Sequence, residues 1–377
     1  MISVLTILIV AVKVIIAFSI LILVHELGHF LVAKKTGVWV EEFGLGLPPR
    51  IWGKKIGETL YSINLLPIGG FVKLHGEEEG DAVTDPNRSF LGKRKLTKVA
   101  ITIAGIVMNL VLAIVAFGIV YSVSGIEKGV FDVKILNVSS NSPAEYGGAK
   151  VGDIIKKVGD KDVTSVNQFK GLVDESKGKQ IKVQVLRDEN GQSATKVVSM
   201  TPRLNPPEGE GALGIEIADV PQIYFPPLWQ RPFYGIYYGF KDAFFYVTAV
   251  TSGLGGAAKD VSQGKAPENL AGIVAILAIF YEVAKLGVIP LLRLIGIISV
   301  NLAVVNLIPF PPLDGYRVAT IFVEKILGKK VLPKFEATIH AVGLVLLILL
   351  MILLSAREIP MLIKAGSISN FVNSILK

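Results

Sequence analysis

Long apolar runs separated by polar segments dominate the pattern of the chain. A helix needs about 20 mostly apolar residues to span a bilayer, and four runs are long enough: Val4–Ala33, Val99–Ile126, Leu294–Leu313 and Ala337–Ala356. A weaker stretch, Leu270–Tyr281, is too short to span and is typical of an interfacial or re-entrant element, or of the start of a longer third helix. The pattern therefore predicts four transmembrane helices.

The composition agrees with a membrane protein and excludes several other classes. Of the 377 residues, 51% are hydrophobic and 19% are charged, whereas a soluble chain has about 25% charged residues. This excludes a disordered or highly charged protein and disfavours a single soluble enzyme. The chain has no cysteine, so any metal must bind histidine, aspartate or glutamate.

The net charge of +8 is better explained by membrane orientation than by nucleic acid, which we do not expect as a partner. Lysine and arginine flank the membrane ends in segments 34–98 and 316–336. Because basic loops face the cytoplasm, we expect both segments inside and segment 127–285 and both termini outside. Apolar sequence continues past Ala17–Ser19, so we expect a retained first span rather than a cleaved signal peptide.

The first apolar run contains the pattern His25-Glu26-Leu27-Gly28-His29. Residues i and i+4 lie on one face of a helix, so the two imidazoles can hold one zinc ion while Glu26 acts as general base. A hydrated, polar helix end is the alternative explanation. Ionisable residues inside a span are costly and mark function, so the pattern favours a metal site.

A catalytic zinc also needs a third protein ligand, and the residues leave several candidates open: Asp314, Glu41, Glu42, His75 and His340. Asp314 follows the third apolar run, where prolines break the helix. The predicted topology brings Asp314 to the cytoplasmic depth of His29. The two glutamates are expected on a solvated loop, and lone histidines are more often structural than ligands.

The two motifs, His25–His29 and Asn306–Gly315 (N-L-I-P-F-P-P-L-D-G), together resemble the site-2 protease family of intramembrane zinc metalloproteases, most closely the bacterial regulator of sigma-E protease type with one PDZ domain. The resemblance covers nearly the whole chain. It implies a Zn²⁺ cofactor and the following roles: metal ligands His25, His29 and Asp314, general base Glu26, and Asn306 holding the substrate or the developing oxyanion.

Three further segments are similar to family elements. Leu66–Lys73 resembles a membrane-associated β-hairpin, Ala104–Asn109 a glycine-and-asparagine motif, and Glu268–Gly272 the element before the third span. Residues 58–75 are expected to form a hairpin whose edge pairs with an unwound substrate, although an ordinary cytoplasmic hairpin is the alternative. Two departures, at Ile106 and Tyr316, concern packing rather than chemistry.

Short strands and turns replace the apolar runs between Val130 and Thr201. The segment Ser142–Ile155 resembles a PDZ domain, and Asp188–Gly191 is a hairpin signal. Such a domain binds peptides by strand addition, or it filters substrates by size. Eleven aromatic residues in 224–247 favour an amphipathic helix on the outer leaflet.

These segments predict a polytopic α-helical membrane protein with about four transmembrane helices, an inserted α+β PDZ-like domain and a membrane-associated β-hairpin. The predicted parts are the first span (1–34), the cytoplasmic hairpin segment (35–98), the second span (99–126), the PDZ-like domain (127–220), an amphipathic interfacial linker (221–285), the third span (286–315), a cytoplasmic loop (316–336), the fourth span (337–356) and an outer tail (357–377).

The expected function is that of a zinc endopeptidase that cuts transmembrane segments of single-pass proteins, with membrane lipids as surroundings. By resemblance, its substrates are pre-cleaved anti-sigma factors or remnant signal peptides, and it lies in the bacterial inner (plasma) membrane with its active site near the cytoplasmic face and the PDZ domain outside. A non-catalytic PDZ adaptor is disfavoured by the intact Glu26. A zinc transporter or sensor is disfavoured because no inverted repeat is evident.

Overall fold

The computed structural model describes residues 4–77, 82–189, 192–265, 271–328 and 333–375. By contacts the chain divides into two units, unit 1 (Met1–Val123 with Trp229–Lys377) and unit 2 (Ser124–Leu228). Unit 1 contains helices α1 (Val4–Lys35), α2 (Lys95–Ser124), α5 (Arg231–Ser262), α6 (Ile273–Leu286), α7 (Val288–Asn306), α8 (Asp314–Leu327), α9 (Pro333–Ala365) and α10 (Ile368–Ile375), and strands β1 (Val40–Ile56) and β2 (Thr59–Leu74).

Within the described ranges, four helices are long and apolar enough to cross a membrane: Leu8–Lys35, Lys95–Ser124, Val288–Asn306 and Thr338–Ala365. The prediction of four apolar spans is therefore confirmed. The third differs from the predicted Leu294–Leu313, because α7 begins and ends nearly two turns earlier, at about 3.6 residues per turn. Prolines lack the amide N–H that a helix needs, and three of them follow α7 before residue 313.

The weaker apolar stretch forms the separate helix α6, joined to α7 through Gly287. Phe280 and Ala284 of α6 are fully buried in a cluster with residues of α1 and α7, which include Leu21 and Ile295. Glu358 of α9 accepts hydrogen bonds from the amides of Gly272 and Ala275 at the first turn of α6. The first three residues of the predicted element Glu268–Gly272 lie outside the described residues.

Helix α5 contains most of the aromatic residues of segment 224–247 and runs antiparallel along α2. Gly235 packs against Gly118, and Gly239 packs one turn further along against Ile114. Small residues allow such close approach between helices. Tyr121 of α2 also donates a hydrogen bond to Asp242 at 2.7 Å. The linker predicted over 221–285 thus contains the end of a strand and two separate helices, and its location at the membrane interface stays a prediction.

Strands β1 and β2 form one bent antiparallel sheet in which each strand contributes two segments. Residues 40–45 of β1 pair on one side with 60–63 and on the other with 70–74. Residues 52–56 pair with 59–63 and complete the sheet at the far edge. The predicted hairpin over 58–75 differs, because its two halves flank β1 rather than each other. Residues 70–74 consequently form an edge.

Two predicted irregular segments are largely helical. Helix α8 occupies most of the predicted loop 316–336, and α9 and α10 occupy most of the predicted tail 357–377. The helix α8 begins with Asp314 and ends before Gly328, a left-handed residue that terminates helices. Prolines near residue 310 end the preceding helix but do not prevent a new one, since proline is tolerated before and at a helix start.

Unit 2 contains strands β3 (Ile126–Val138), β4 (Ile154–Val158), β5 (Lys161–Asp162), β6 (Ile181–Glu189), β7 (Gln192–Met200) and β8 (Ile215–Tyr224), with helices α3 (Pro143–Tyr146) and α4 (Val166–Glu175). The antiparallel strand order is β7-β6-β4-β3-β8, and β5 pairs with β4. Buried aliphatic residues from several strands, including Ile135, Ile155 and Val183, form its core. The turn at Asn190 and Gly191 lies outside the described residues. A β-sheet domain follows the second span as predicted, and its assignment as PDZ stays a prediction.

Candidate metal centre

Three side chains of unit 1 bring their ligand atoms together within 4.8 Å: His25, His29 and Asp314. The histidines lie one helical turn apart on α1, and Asp314 begins α8. The nitrogen Nε2 of His25 lies 3.0 Å from Asp314 Oδ2, and that of His29 lies 3.5 Å from the same oxygen. The two Nε2 atoms are 3.2 Å apart.

These spacings fit a zinc ion. Metal–ligand bonds of about 2.0–2.1 Å at tetrahedral angles place ligand atoms about 3.3 Å from one another, and the observed separations of 3.0, 3.2 and 3.5 Å surround that value. Asp314 Oδ2 is buried and accepts no well-directed hydrogen bond from the described part of the chain. Two imidazoles and one carboxylate that leave a position open are typical of catalytic zinc sites.

Helix α2 packs closely behind the two histidines. A Cβ atom on Gly105 would lie 2.5 Å from His29 Nε2 and 2.7 Å from His25 Cε1, so this position must be glycine for the rings to occupy their places. The Nδ1 atom of His29 lies 2.8 Å from the carbonyl oxygen of Ile101. That carbonyl can only accept, so it fixes the proton of His29 on Nδ1 and leaves Nε2 free to bind a metal.

Asp314 is positioned by the turn between α7 and α8. The amide of Leu313 donates to the Phe310 carbonyl at 2.8 Å, and Tyr316 N–H donates to the Leu313 carbonyl. Gly315 packs directly on the carbonyls of Leu307 and Ile308, where any Cβ would overlap backbone oxygen. The glycine after Asp314 therefore allows α8 to fold back on the end of α7.

A cavity of about 330 Å³ opens beside the three ligand atoms. Its lining includes Glu26 from α1, Val72 and Leu74 from the sheet edge, and His340 from α9. A Cβ on Gly70 would lie 3.9 Å from Glu26 Cγ, so Glu26 lies next to the edge formed by residues 70–74. The general-base candidate and a backbone edge thus share one cavity with the metal-ligand group.

The other candidates for a third ligand have different partners. Glu41 accepts from His75 at 2.8 Å and pairs with Lys73 at 3.0 Å, while Glu42 lies 3.6 Å from Arg50. Partial burial raises the pKa of Glu41, but the hydrogen bonds from His75 and Lys73 outweigh that effect, and its pKa is lowered. These glutamates therefore hold the sheet and its flanking loop together.

Both ring nitrogens of His75 are occupied in the structure. Its Nδ1 atom donates to Glu41, and its Nε2 atom accepts from the amides of Thr84 and Asp85. The ring of His75 also packs on Trp39. His75 is thus a structural residue. His340 lines the metal-site cavity and contacts the Tyr316 ring edge-on at 4.9 Å, but it does not belong to the group of three ligand atoms.

Asn306 is half-buried at the last position of α7 and is not among the described residues that line the cavity. Its predicted role at the substrate stays a prediction. Sequence reasoning missed the contributions of Ile101, Gly105 and Asn109 to the histidine pair. These three residues are spaced four apart in the uncharged part of α2, and they include one small and one polar residue; this spacing is the signal by which the sequence could have indicated them.

The sequence matches the model described as Peptidase family M50 over residues 13–350. A candidate zinc metalloprotease of Clostridium perfringens is 36% identical over 346 residues, which cover 91% of this chain and 96% of that protein. A second one, from a Nostoc species, is 30% identical over 349 residues, covering 90% and 93%. The zinc metalloprotease RasP of Oceanobacillus iheyensis is 26% identical over 430 residues, covering 92% and 98%.

Proposed function

Because the chain belongs to peptidase family M50, the site-2 protease family, and is a membrane zinc metalloprotease, we propose that it cleaves transmembrane segments of single-pass membrane proteins. The observation that carries the proposal is the group of His25, His29 and Asp314, which lies beside Glu26. Helix α1, which contains both histidines, is long and apolar enough to span a membrane. A catalytic group on a membrane-spanning helix favours a substrate that lies in the membrane itself.

The chemistry follows from the positions of the side chains. His25, His29 and Asp314 would hold the zinc ion, which supplies a Lewis acid that polarises a carbonyl and allows water to be deprotonated near neutral pH. Glu26 accepts a proton from the attacking water and then delivers it to the leaving amine. Asn306 is proposed to hold the substrate or the oxyanion as it develops.

The edge formed by residues 70–74 supports a way to present the substrate. The amides of a helix bond internally, so a transmembrane segment must unwind before attack. An extended peptide can add to a free strand edge, and this edge contributes Val72 and Leu74 to the cavity that contains Glu26. Pairing there would hold the scissile bond extended next to the metal site.

Unit 2 supports a PDZ-like role within the same proposal. Strand β8 pairs with β3 and ends the strand order, so its other side is an edge. Helix α4 begins beside it, where the Val166 amide donates to Asp219 of β8 at 2.8 Å. An edge strand next to a helix is an arrangement that binds peptides by strand addition. Peptide ends exposed by an earlier cleavage are the proposed ligands.

The biological context of the proposal is regulated intramembrane proteolysis in a bacterial inner (plasma) membrane. Pre-cleaved anti-sigma factors and remnant signal peptides are the proposed substrates, because both are single membrane-crossing segments. The basic segments 34–98 and 316–336 support a cytoplasmic location of the catalytic end.

The test uses the purified full chain with a single-pass substrate in detergent or vesicles. Glu26→Gln should lower cleavage about 10²–10⁴-fold, as expected for loss of a general base, while the zinc content stays at one ion per chain. The exposed Glu208→Gln in unit 2 is the matched control and should cleave like the wild type. Zinc bound without cleavage that depends on Glu26 would reject the protease assignment in favour of a sensor.

A further inference from the structure

Asn109 of α2 is completely buried, and its side chain reaches the ring of His25. The carboxamide nitrogen and His25 Nδ1 are 3.2 Å apart. We propose that Asn109 is a positioning residue whose carboxamide oxygen accepts the Nδ1–H of His25 and so directs His25 Nε2 to zinc. The proposal rests on the ligand assignment of the proposed function.

The protonation of His25 decides which carboxamide atom faces its ring. The nitrogen Nε2 points into the ligand group, 3.0 Å from Asp314 Oδ2 and 3.2 Å from His29 Nε2. A neutral imidazole that binds a metal through Nε2 carries its proton on Nδ1. The atom opposite Nδ1 must then accept, which a carboxamide oxygen does and a carboxamide nitrogen does not.

A half-turn of the Asn109 carboxamide exchanges its oxygen and nitrogen without moving the rest of the residue. With the nitrogen facing the ring, Oδ1 is buried and has no partner among the described residues. Either orientation thus places a carboxamide atom at hydrogen-bond distance from His25 Nδ1, but the nitrogen would donate to that atom whereas the oxygen accepts from it. The metal-ligand role of Nε2 selects the orientation with the oxygen toward the ring.

The surroundings hold Asn109 in place and match its role to that of Ile101. The buried Ser299 of α7 donates to the main-chain carbonyl of Asn109 at 2.8 Å. Two turns earlier on α2, the carbonyl of Ile101 lies 2.8 Å from Nδ1 of His29. The Nδ1 atom of each histidine thus contacts a residue of α2, and Gly105 lies between these two residues along the helix. Such outer partners of zinc-binding histidines orient the ring and raise its basicity.

The inference predicts zinc affinity and not only activity. In the purified full chain, zinc affinity is measured by competition with a chromogenic chelator, and the site geometry is followed by the visible absorption of the Co²⁺-loaded protein. Asn109→Leu removes the acceptor at similar volume and should weaken zinc binding about 10–100-fold. Asn109→Asp can only accept, and it should bind zinc closer to the wild type than to the leucine variant.

Val107→Ala on the same helix is the matched control, since the Val107 side chain is 48% exposed. Melting of the metal-free proteins tests whether the fold is kept, and Asn109→Ala replaces the leucine variant if that variant does not melt like the wild type. The inference would be overturned if Asn109→Leu, or the alanine variant used in its place, bound zinc as tightly as the wild type. It would also be overturned if Asn109→Asp bound zinc as weakly as the leucine variant.

His25→Ala separates this inference from the function on which it rests. If His25→Ala binds zinc like the wild type, the ligand assignment itself is wrong. If His25→Ala loses zinc but the acceptor-free Asn109 variant keeps wild-type affinity, the ligand assignment stands and only the role of Asn109 is rejected.

Discussion

Gly105 lies so close to His29 that a single methyl group on residue 105 would come within 2.5 Å of the imidazole Nε2. Carbon and nitrogen atoms that do not share a bond cannot approach so closely, and the overlap also includes His25. The backbone of Gly105 belongs to α2 and packs against the backbone of α1 at Gly28, so it cannot easily shift. The imidazole rings would have to move instead. The absence of a side chain at Gly105 is therefore a condition for the positions that His25 and His29 take in the candidate metal centre.

Gly105→Ala should accordingly weaken zinc binding about tenfold or more, because it displaces both imidazoles, and should cost about 1–3 kcal/mol of stability through overpacking. Chelator competition and thermal melting measure the two effects. Gly253→Ala in α5, where a Cβ would meet nothing within 4 Å, is the matched control: it should leave zinc binding unchanged and should not lower stability, because alanine is the better helix former. Wild-type zinc affinity in Gly105→Ala would contradict the packing seen here.

Glu58, between β1 and β2, provides a pH-dependent link between the sheet and its surroundings. Hydrogen bonds from Arg88 and from Lys34 lower the pKa of Glu58 from 4.5 to about 2. Since this pKa is lower in the folded state, the stabilisation is fully present above about pH 4.5 and is lost as the pH falls toward about 2. Exposure to solvent keeps the effect small.

We expect Glu58→Gln to melt below the wild type at pH 7, and the difference between the two proteins to shrink as the pH falls from 4.5 to 3. Thermal melts of the two proteins at each pH measure this. Added salt should reduce the difference at pH 7, because the pairs are partly exposed. A difference that grows on acidification would show that Glu58 acts in another way.

Much of the candidate metal site can be predicted from the sequence, because the two histidines lie close together along the chain and because ionisable residues in an apolar span carry a free-energy cost that marks function. His25 and His29 share a helix face through their spacing alone. Asp314 follows a proline-rich break where a carboxylate at a membrane helix end is rare. The same reasoning places the four spans, since their length is set by the bilayer.

The remaining contributions are long-range and leave little mark on the sequence. Ile101 orients His29 with a main-chain carbonyl, which every residue has, and Gly105 contributes only space. Residues 40–45 pair with both halves of β2 and so lie between them. The alternation of apolar and polar residues does not determine this strand order. The sequence likewise leaves the path of α5 beside α2 open, because aromatic residues suit both an interface and helix packing.

Glu77 and Arg317 form an ion pair on the wall of the metal-site cavity. Glu77 follows β2 and also accepts from the Leu74 amide, while Arg317 lies one turn into the helix that Asp314 begins. The guanidinium also lies over the Phe90 ring, 5.9 Å from its centre. The pair therefore connects the sheet edge to the helix that carries the third ligand candidate.

A double-mutant cycle with Glu77→Gln and Arg317→Gln should give a coupling energy of about 1 kcal/mol in thermal or chemical unfolding, since both side chains are partly buried and in direct contact. The cycle is needed because Arg317 has further contacts, so its single replacement removes more than the pair. If the two replacements change the free energy of unfolding by amounts that simply add in the double mutant, the ion pair contributes no coupling.

Val72 lies in the middle of the edge formed by residues 70–74, and its amide should point away from the sheet. The amide of His75 donates into the sheet, to the Trp39 carbonyl, while that of Leu74 donates outward, to Glu77. Alternate amides along a strand point the same way, so the amide of Val72 points outward like that of Leu74. The sheet does not use this donor, and proline is tolerated at such edge positions.

Val72→Pro should therefore keep the fold and the zinc content but lower substrate cleavage about tenfold, because one hydrogen bond to a paired peptide, worth about 1 kcal/mol, is lost and the ring obstructs the edge. Val72→Ala is the matched control, since it shortens the side chain but keeps the amide, and it should cleave more nearly like the wild type. Kinetics with a transmembrane substrate, alongside zinc content and melting, measure the effect. If the proline variant cleaves as fast as the alanine variant, the substrate does not pair with this edge, and another surface of the cavity must hold it extended.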